Sequence, residues 1–437
     1  MANIKEALDR ATDTKGLIIG DGVISKVADM FMQMFPDKRP IVVTDQTTWR
    51  VAGERVNELL KNAGLEADEP FIFTVPDLHA EWKFIEQLDE VLGKTDAIAV
   101  AVGSGTINDL SKLSSAHCGK RYMNVSTAAS MDGYTAYGAS ITKDGAKQTF
   151  NCPAPLAVVA DTEIIASAPG AMTASGYADL FAKIPAGADW IISEELGVEP
   201  IDSFSWGLVQ DSLKMALDNP EAINAGDKEA MHRLIEGLIM SGFAMQAHQT
   251  SRPASGADHQ FSHLWNMEHH VMENGHAPSH GFQVSIGSLM STALYEEMLK
   301  EDFTKLDVEK CVAAWPSLEE QKQEAQKMFA DTDFPTIGDT EITAKYVDKD
   351  ELRKQLTTLK ENWPKIRKRI QDQLIPYAEA KARLKAVGAP VEPEEIGISR
   401  ERLFASVPRA QKIRRRFTIL DIAVRTNLLD KWLTAIN

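Results

Sequence analysis

The 437-residue sequence is poor in cysteine, lacks long apolar runs and has fewer basic than acidic residues. Its three cysteines, Cys118, Cys152 and Cys311, are odd in number and far apart, so they predict neither a disulfide framework nor a cysteine zinc site. No stretch reaches the roughly 18 apolar residues of a membrane span. The charged start MANIKEALDR lacks the apolar core of a signal peptide. The sequence therefore predicts a cytoplasmic protein with no membrane partner.

The charge balance disfavours nucleic-acid partners. Lysine and arginine total 47 while aspartate and glutamate total 63, which gives a net charge of -16 at pH 7. A chain this acidic has no bulk attraction for nucleic-acid phosphates. We therefore interpret the basic runs at 364–373 and 409–417 as solvated helix faces. An anionic substrate would need a local basic or dipolar pocket.

Short β-branched apolar runs alternate with amphipathic helical segments in the first part of the chain. The runs lie at residues 16–20, 40–45, 70–76, 96–105, 121–127 and 155–161. This alternation predicts a parallel sheet with helices on both faces. Beyond about residue 170 only helical periodicity is present, as at 228–248 and 281–300.

The pattern predicts two domains. An α/β dinucleotide-binding domain with a parallel sheet is expected over residues 1–166. An all-helical domain that binds metal and substrate is expected over residues 167–437. A cleft between two such domains is a usual place for a ligand site.

Two turns that follow predicted strands are rich in small and hydroxylic residues. In Gly103-Ser104-Gly105, we expect the glycines to take up positive φ and to let a ligand approach the backbone of the following helix start. The third glycine of the usual dinucleotide motif is absent, so a plain strand–helix turn is an equally good interpretation. In the second turn, over 124–140, Asp132 either caps the turn or hydrogen-bonds a substrate hydroxyl.

Seven of the ten histidines lie between His248 and His280. His259 and His263 are four residues apart, which places them on one helix face. Asp179 lies in a small, apolar helical pattern, where a carboxylate is costly unless it pairs with Lys183 or ligates a cation. Imidazoles with one carboxylate suit a divalent transition metal with open coordination positions. Spacing alone leaves open which histidines ligate.

Five motifs occur in the order GSGTINDLSK, STAASMDG, GYADLFAKIPAGADW, SRPASGADHQFSH and HGFQVSIG. Together they resemble the bacterial sn-glycerol-1-phosphate dehydrogenase family, from about residue 16 to the end of the chain. This family shares its fold with glycerol dehydrogenase, the iron-containing alcohol dehydrogenases and dehydroquinate synthase. The chain departs from the family at Ser104, where a third glycine is usual, and at Ala136, where relatives have a cofactor-contacting serine.

The resemblance implies roles for individual residues. Asp179, His259 and His280 match metal ligands, and His263 and Asp132 match residues near the reacting substrate. Lys183 is added to the catalytic candidates by its position. Asp45 would lie near the adenosine ribose, where its charge favours NAD over NADP. The cofactor-binding turns would consist of Gly103, Ser104, Gly105, Thr106 and Ile107 at the pyrophosphate, and of Thr127, Ala128, Ala129 and Ser130 at the nicotinamide side.

The resemblance further implies reversible, NAD- or NADP-dependent reduction of dihydroxyacetone phosphate to sn-glycerol 1-phosphate, feeding glycerophospholipid-type metabolism. One divalent metal is expected, Zn or Ni ahead of Fe or Co, in a homo-oligomer of two or more subunits. His263 could carry the proton to solvent, and Lys183 and Arg252 are candidates for the substrate phosphate. The alternatives are a dehydrogenase for unphosphorylated polyols such as glycerol, and a carbocycle synthase resembling dehydroquinate synthase.

Overall fold

The computed structural model describes residues 4–143 and 146–437. The strands in these ranges are β1 (Gly16–Gly20), β2 (Pro40–Asp45), β3 (Phe71–Phe73), β4 (Ile98–Gly103), β5 (Met123–Ser126), β6 (Ala139–Lys143), β7 (Ala146–Phe150) and β8 (Ala157–Asp161). All six predicted strands are present. No strand follows Asp161 in the described part of the chain, which agrees with the loss of β signals in the sequence.

Helices account for most of the remaining chain. Up to residue 181 they are α1 (Ile4–Arg10), α2 (Val27–Met34), α3 (Gln46–Thr48), α4 (Glu54–Asn62), α5 (Trp82–Gly93), α6 (Gly105–His117), α7 (Thr162–Ala166) and α8 (Gly170–Phe181). A π-helical turn, Trp49–Gly53, joins α3 to α4. None of the helices described has the length and apolarity that crossing a bilayer requires.

Beyond residue 181 the chain forms helices connected by loops and short 3-10 turns. These helices are α9 (Lys183–Glu195), α10 (Ser203–Ala216), α11 (Pro220–Asn224), α12 (Lys228–His248), α13 (Ala257–Met267), α14 (His280–Lys300), α15 (Val308–Ala314), α16 (Leu318–Phe329), α17 (Ile337–Lys345), α18 (Lys349–Gln373), α19 (Tyr377–Ala386), α20 (Arg400–Lys412), α21 (Ile419–Arg425) and α22 (Leu429–Ile436). The predicted helices at 228–248 and 281–300 correspond to α12 and α14.

The main sheet has the strand order β1-β8-β5-β4-β2-β3, and every neighbouring pair is parallel. Successive residues of β4 point to opposite faces of the sheet. Val100 and Val102 pack into one buried cluster, whereas Ala99 and Ala101 pack into another. Burial on both faces explains the continuous apolar runs from which the strands were predicted.

Parallel pairing brings the functional turns to one edge of the sheet. Gly103 at the end of β4 pairs with Ser126 at the end of β5. On the other side of β4, Val43 pairs with Ala101, so Asp45 at the end of β2 lies level with Gly103. The carboxyl edge of a parallel sheet is the usual ligand-binding edge.

The antiparallel pair β6–β7 was not predicted from the sequence. It pairs Ala139 with Phe150 and Lys143 with Ala146, and residues 144 and 145 between the strands lie outside the described ranges. Ala139 and Ile141 are buried while Ser140 is half-buried. This alternation of buried and half-buried residues covers only three positions. It follows a stretch of small residues, so the sequence pattern does not identify it as a strand.

The chain divides into two compact units. The first comprises residues up to Leu180 together with Ser203–Ser251 and Ala386–Gly388, and it contains the sheet. The second comprises Phe181–Asp202, Arg252–Lys385 and Ala389–Asn437, and its described residues are helical or irregular. The domain boundary expected between residues 166 and 167 stays a prediction.

The second unit differs from expectation at one basic run. Residues 409–417 were interpreted as a solvated helix face, but α20 ends at Lys412, so Arg414, Arg415 and Arg416 follow the helix in an irregular segment. Lys412 is buried, and only Arg415 of the three arginines is exposed. That interpretation was therefore wrong for this run.

Helices α13 and α14 cross closely at Gly287. A Cβ atom at this position would overlap the carbonyl oxygen of Asp258 in α13. Glycine is therefore required there for close approach of the two backbones, and the crossing fixes α13 against α14.

Gly287→Ala should lower the free energy of unfolding by about 1–3 kcal/mol, because its methyl group forces the two helices apart. Gly93→Ala is the matched control, since a Cβ at Gly93 meets nothing within 4 Å. Urea unfolding of both variants measures the effect. Equal stability of the Gly287 variant and wild type would show that the crossing tolerates a methyl group.

Candidate metal and cofactor site

Asp179, His259 and His280 each present one ligand atom, and these atoms all lie within 4.8 Å of one another. Two imidazoles and a carboxylate form a nitrogen and oxygen donor set that fits Zn, Ni, Fe or Co. Three protein ligands leave coordination positions for a substrate or water. The structure thus brings together the three residues that the resemblance implied, and their role as ligands stays a prediction.

Asp179 is fully buried near the end of α8. The backbone N–H of Asp132 donates to its Oδ2 at 3.0 Å. The Asp132 side chain in turn accepts a hydrogen bond from Ser241 Oγ at 2.8 Å. Asp132 therefore orients Asp179 through its backbone, a role that neither sequence interpretation included.

His259 lies in the first turn of α13 and is buried. Its Nδ1 hydrogen-bonds Oδ1 of Asp258, and that oxygen also accepts the backbone N–H of Gly256 at 3.2 Å. A carboxylate on one ring nitrogen fixes the tautomer in which the other nitrogen, Nε2, has its lone pair free for a metal. Asp258 was missed in the sequence, although it directly precedes His259.

His280 is the first residue of α14, and its Nδ1 lies 3.3 Å from Ser262 Oγ. Its ring centroid is 5.2 Å from that of His259. His263, one helical turn after His259, is half-buried with its ring centroid 6.5 Å from that of His259.

The other four histidines of the cluster have different surroundings. His248 hydrogen-bonds Thr250, His269 pairs with Asp333, His270 contacts the Ile396 carbonyl, and His276 is exposed. The high density of histidines in this segment therefore suggests more candidate metal ligands than the structure brings together.

Asp189 connects the helices that carry His259 and His280, the two histidines of the candidate donor set. It is fully buried in α9. Its Oδ2 accepts the N–H of Ala257, the first residue of α13, at 2.7 Å, and its Oδ1 accepts the Tyr295 hydroxyl of α14 at 2.6 Å. Oδ1 also accepts the N–H of Ile419 at 2.7 Å. Burial raises the pKa of the Asp189 carboxyl to about 7, although these hydrogen bonds oppose the shift.

The turn Gly103–Ile107 joins β4 to α6. Ser104 has a φ of -94°, so a serine fits where the family has glycine. The expected positive φ at Gly103 and Gly105 is wrong, because neither is among the glycines with positive φ. Packing explains both glycines: a Cβ at Gly103 would lie 2.6 Å from Ile107 Cβ, and one at Gly105 would lie 3.1 Å from Met131 Cε.

The start of α6 fits a pyrophosphate. The Ser104 side chain does not cap the helix, and Thr106 and Ile107 lie in its first turn. The first N–H groups of a helix have no intrahelical partner and carry a partial positive charge, which suits an anion. The structure places this turn at the ligand-binding edge of the sheet, and its contact with a cofactor stays a prediction.

The second turn, Thr127–Ser130, packs between the first turn and α8. Thr127 N donates to Gly103 O at 3.1 Å, and the Ser175 hydroxyl donates to Ser130 O at 3.1 Å. A Cβ at Gly176 would overlap the Ala129 carbonyl oxygen, so the glycine lets α8 lie directly against the turn. Ala128 and Ala129 are buried, whereas Ser130 is half-buried. One helix thus supports this turn and carries Asp179.

Lys112 organises the loop that follows Asp132. It is buried in α6, and its Nζ donates to Ala136 O and Gly138 O at 2.9 Å each and to Gly133 O at 3.1 Å. Ala136, at the position of the family's serine, has a buried side chain. Nothing in the sequence pattern marked Lys112, because its partners lie more than 20 residues away.

The remaining predicted residues have varied surroundings. Asp45 caps α3, with Oδ1 accepting the N–H groups of Thr47 and Thr48 at 2.8 Å. Lys183 is buried at the start of α9. Arg252 is also buried, and its donors bind the Phe417 and Asp189 carbonyls, while its Nε lies 3.1 Å from Glu199 Oε2. These contacts argue against Arg252 as the phosphate ligand.

Comparison with known proteins identifies related sequences and folds. A model of the iron-containing alcohol dehydrogenase family matches residues 18–169. Glycerol-1-phosphate dehydrogenase, NAD(P)+, of Halalkalibacterium halodurans is 35% identical over 257 residues, which is 58% of this chain and 64% of that protein, just under two thirds. The enzyme of the same name from Geobacillus thermodenitrificans is 30% identical over 394 residues, which is 88% of this chain and 86% of that protein.

Among solved structures, a probable glycerol dehydrogenase from Sinorhizobium meliloti 1021 has a similar fold. Its TM-score is 0.60, with coverage of 97% of this chain and 98% of that chain. The sequences are 18% identical, so this similarity concerns the fold alone. It agrees with the predicted α/β domain followed by helices.

His280→Ala should weaken zinc affinity by more than about 100-fold. Removing a residue that only hydrogen-bonds a metal ligand already costs up to about 100-fold, and removing the ligand itself should cost more. NADH binding should be retained, since the turns predicted to bind the cofactor do not include His280. His276→Ala is the matched control, because His276 is exposed in the same histidine-rich segment. Zinc competition with a coloured chelator measures the affinities. Unchanged zinc affinity in the His280 variant would exclude this residue as a ligand.

Asp189→Asn should destabilise the fold by about 1–3 kcal/mol, because the amide leaves one of three buried donors without an acceptor. The pKa of Asp189 is raised from 3.8 to about 7. Between these values the folded carboxyl holds a proton that the unfolded chain releases, so its contribution to stability falls as pH rises from about 4 to about 7.

The stability difference between wild type and Asp189→Asn should therefore be larger at pH 5 than at pH 7.5, as measured by urea unfolding. Tyr295→Phe is the control, since it removes one donor and keeps the titrating carboxyl. A difference that is independent of pH would contradict the raised pKa.

Proposed function

Because this chain belongs to the family of glycerol-1-phosphate dehydrogenases that use NAD(P)+, we propose that it reversibly reduces dihydroxyacetone phosphate to sn-glycerol 1-phosphate. The observation that carries the proposal is the donor set of Asp179, His259 and His280, whose ligand atoms lie within 4.8 Å of one another. A divalent metal bound there supplies Lewis-acid polarisation of the C2 oxygen of the substrate. Zinc and nickel are our first choices for that metal.

The protein's own groups position the donors before any substrate binds. Asp258 keeps the His259 ring in one tautomer, and the Asp132 N–H fixes one oxygen of Asp179. Ser262 restrains Nδ1 of His280. Each of these hydrogen-bond partners reduces the side-chain movement that metal binding would require.

We assign the dinucleotide to the two turns at the carboxyl edge of the sheet. The N–H groups at the start of α6, including Thr106 and Ile107, would bind the pyrophosphate. Thr127 to Ser130 would contact the nicotinamide side. The carboxylate of Asp45 caps α3 through Oδ1 alone, which leaves Oδ2 outside the cap. Its negative charge would disfavour the 2′-phosphate of NADP.

His263 would move the proton between the C2 oxygen and solvent. It lies one helical turn from His259 and is half-buried, so its ring is accessible to water. Asp132 and Lys183 are proposed as further groups near the substrate. Hydride donation to C2 belongs to the reduced nicotinamide, which the protein orients.

We further propose that the protein is a cytoplasmic homo-oligomer of two or more subunits whose product enters glycerophospholipid-type metabolism. The support for the pathway is the name of the relatives, glycerol-1-phosphate dehydrogenase. The rival polyol activity rests on a glycerol dehydrogenase of similar fold at 18% identity. The relatives matched at 30–35% identity favour the phosphorylated substrate.

The purified protein should oxidise NADH with dihydroxyacetone phosphate, lose this activity on chelation and regain it when zinc or nickel is restored. Chiral analysis should give the sn-1 product. The same assay with NADPH measures the cofactor preference. Activity on dihydroxyacetone or glycerol alone would instead indicate a polyol dehydrogenase. Tightly bound NAD without net NADH oxidation would indicate a carbocycle synthase.

A further inference from the structure

Helix α12 of the first unit carries none of the three proposed metal ligands, but it contacts both segments that hold Asp179 in place. One contact is with α8, the helix that carries Asp179. The other is with the loop that begins at Asp132, whose N–H binds the Asp179 carboxylate. The helix therefore lies where it can fix Asp132 relative to Asp179.

The contact between α12 and α8 depends on Gly237. A Cβ atom at this position would lie 2.8 Å from Leu180 Cδ2 and 2.9 Å from Ala216 Cβ. Leu180 directly follows Asp179, and both side chains are buried. Close packing of buried groups keeps neighbouring helices at a fixed separation. The backbone that carries Asp179 is thus packed against α12.

Asp132 is held by α12 at two points. Its Oδ2 accepts a hydrogen bond from Ser241 Oγ at 2.8 Å, and Ser241 is fully buried. Its carbonyl oxygen lies against Gly242, where a Cβ atom would come within 2.9 Å of that oxygen. The N–H of Asp132 donates to Asp179 Oδ2 at 3.0 Å. The side chain, carbonyl and N–H of this one residue therefore all have defined contacts.

Thr135 of the same loop is bound to α12 by separate hydrogen bonds. Its hydroxyl donates to the Ile239 carbonyl at 2.7 Å, and its own carbonyl accepts from Gln246 Nε2 at 3.0 Å. Gln246 is fully buried, and its Oε1 accepts the N–H of Asp13 at 2.8 Å. Because these bonds do not involve Ser241, we expect the loop to stay on the helix when the Ser241 hydroxyl is removed.

We infer that Ser241 is a positioning residue of the metal site, which acts through Asp132 on the proposed ligand Asp179. Its hydroxyl restrains the Asp132 side chain, and this also restrains the N–H on the same Cα atom that binds Asp179 Oδ2. That N–H limits the directions in which the Asp179 carboxylate presents its oxygens to a metal. The inference rests on the proposed function, because it takes Asp179 as a metal ligand.

Ser241→Ala should weaken zinc affinity about 3- to 10-fold. This loss is smaller than the roughly 10- to 100-fold that removal of a direct partner of a ligand costs, because Ser241 is one hydrogen bond further away. Ser241→Thr keeps the hydroxyl donor and should restore most of the affinity. The affinities are measured on the metal-free full-length protein by competition with a coloured chelator. Urea unfolding of each variant verifies that it is folded under these conditions.

Ser115→Ala is the matched control. Ser115 is a buried serine of α6 in the same unit, and its hydroxyl has no hydrogen-bond partner among the residues that the structure describes. Its zinc affinity should stay within about two-fold of wild type, because the substitution is independent of the site. Unchanged zinc affinity in folded Ser241→Ala would overturn the inference. An equal loss of affinity in Ser115→Ala would also overturn it.

A double-mutant cycle tests whether Ser241 acts through Asp179. Asp179→Ala alone should weaken zinc affinity by more than about 100-fold, because it removes a ligand. In that background Ser241→Ala should change the affinity by less than about two-fold, since the carboxylate that it positions is gone. The same loss on Ser241→Ala in both backgrounds would show that Ser241 acts independently of Asp179, and it would overturn the inference.

The zinc measurements use no substrate, so they separate this inference from the proposed activity. If wild type does not reduce dihydroxyacetone phosphate but the zinc affinities follow the expected pattern, the proposed function fails and the positioning role of Ser241 stands. If Asp179→Ala binds zinc as tightly as wild type, Asp179 is not a ligand, and the inference fails together with the donor set.

Discussion

The buried carboxylate of Asp189 is the interaction on which the histidine-bearing helices depend. It accepts hydrogen bonds from the first residue of α13, from Tyr295 of α14 and from the first residue of α21. A carboxylate in the interior is costly without such partners. Two of these bonds reach the first residues of α13 and α21, and the third holds α14 through Tyr295, so the carboxylate also positions the helices that carry His259 and His280. The close crossing at Gly287 adds a steric limit to the same pair of helices.

Each of the three proposed metal ligands has a second group that contacts it. Asp258 binds the His259 ring, Ser262 lies against His280, and the backbone of Asp132 binds Asp179. Such contacts set tautomer and orientation and are as much a part of a metal site as the ligands. The two turns proposed for the dinucleotide depend on close packing instead, because Gly103 in the first turn and Gly176 in α8 allow approaches that a side chain would prevent.

The sequence predicted the elements that burial and periodicity encode. Strands buried on both faces appear as apolar runs, and α12 and α14 were predicted to within one residue. The resemblance named the three donor residues that the structure brings together.

Asp189 and Lys112 were not predicted, because their hydrogen-bond partners are distant in sequence and leave no periodic signal. The run 409–417 was misinterpreted because charge alone does not show that α20 ends at Lys412. Positive φ was wrongly expected at Gly103 because the need for glycine there comes from Ile107.

The three hydrogen bonds of Lys112 affect how much conformational entropy a ligand would lose on binding. Its ammonium group holds the carbonyls of Gly133, Ala136 and Gly138, three points of one loop that would otherwise sample many conformations. Ordering a residue costs about 1–2 kcal/mol of backbone entropy. Because these hydrogen bonds form when the chain folds, a ligand that binds beside this loop would not have to order it again. Lys112 would thereby lower the entropic cost of such a binding event.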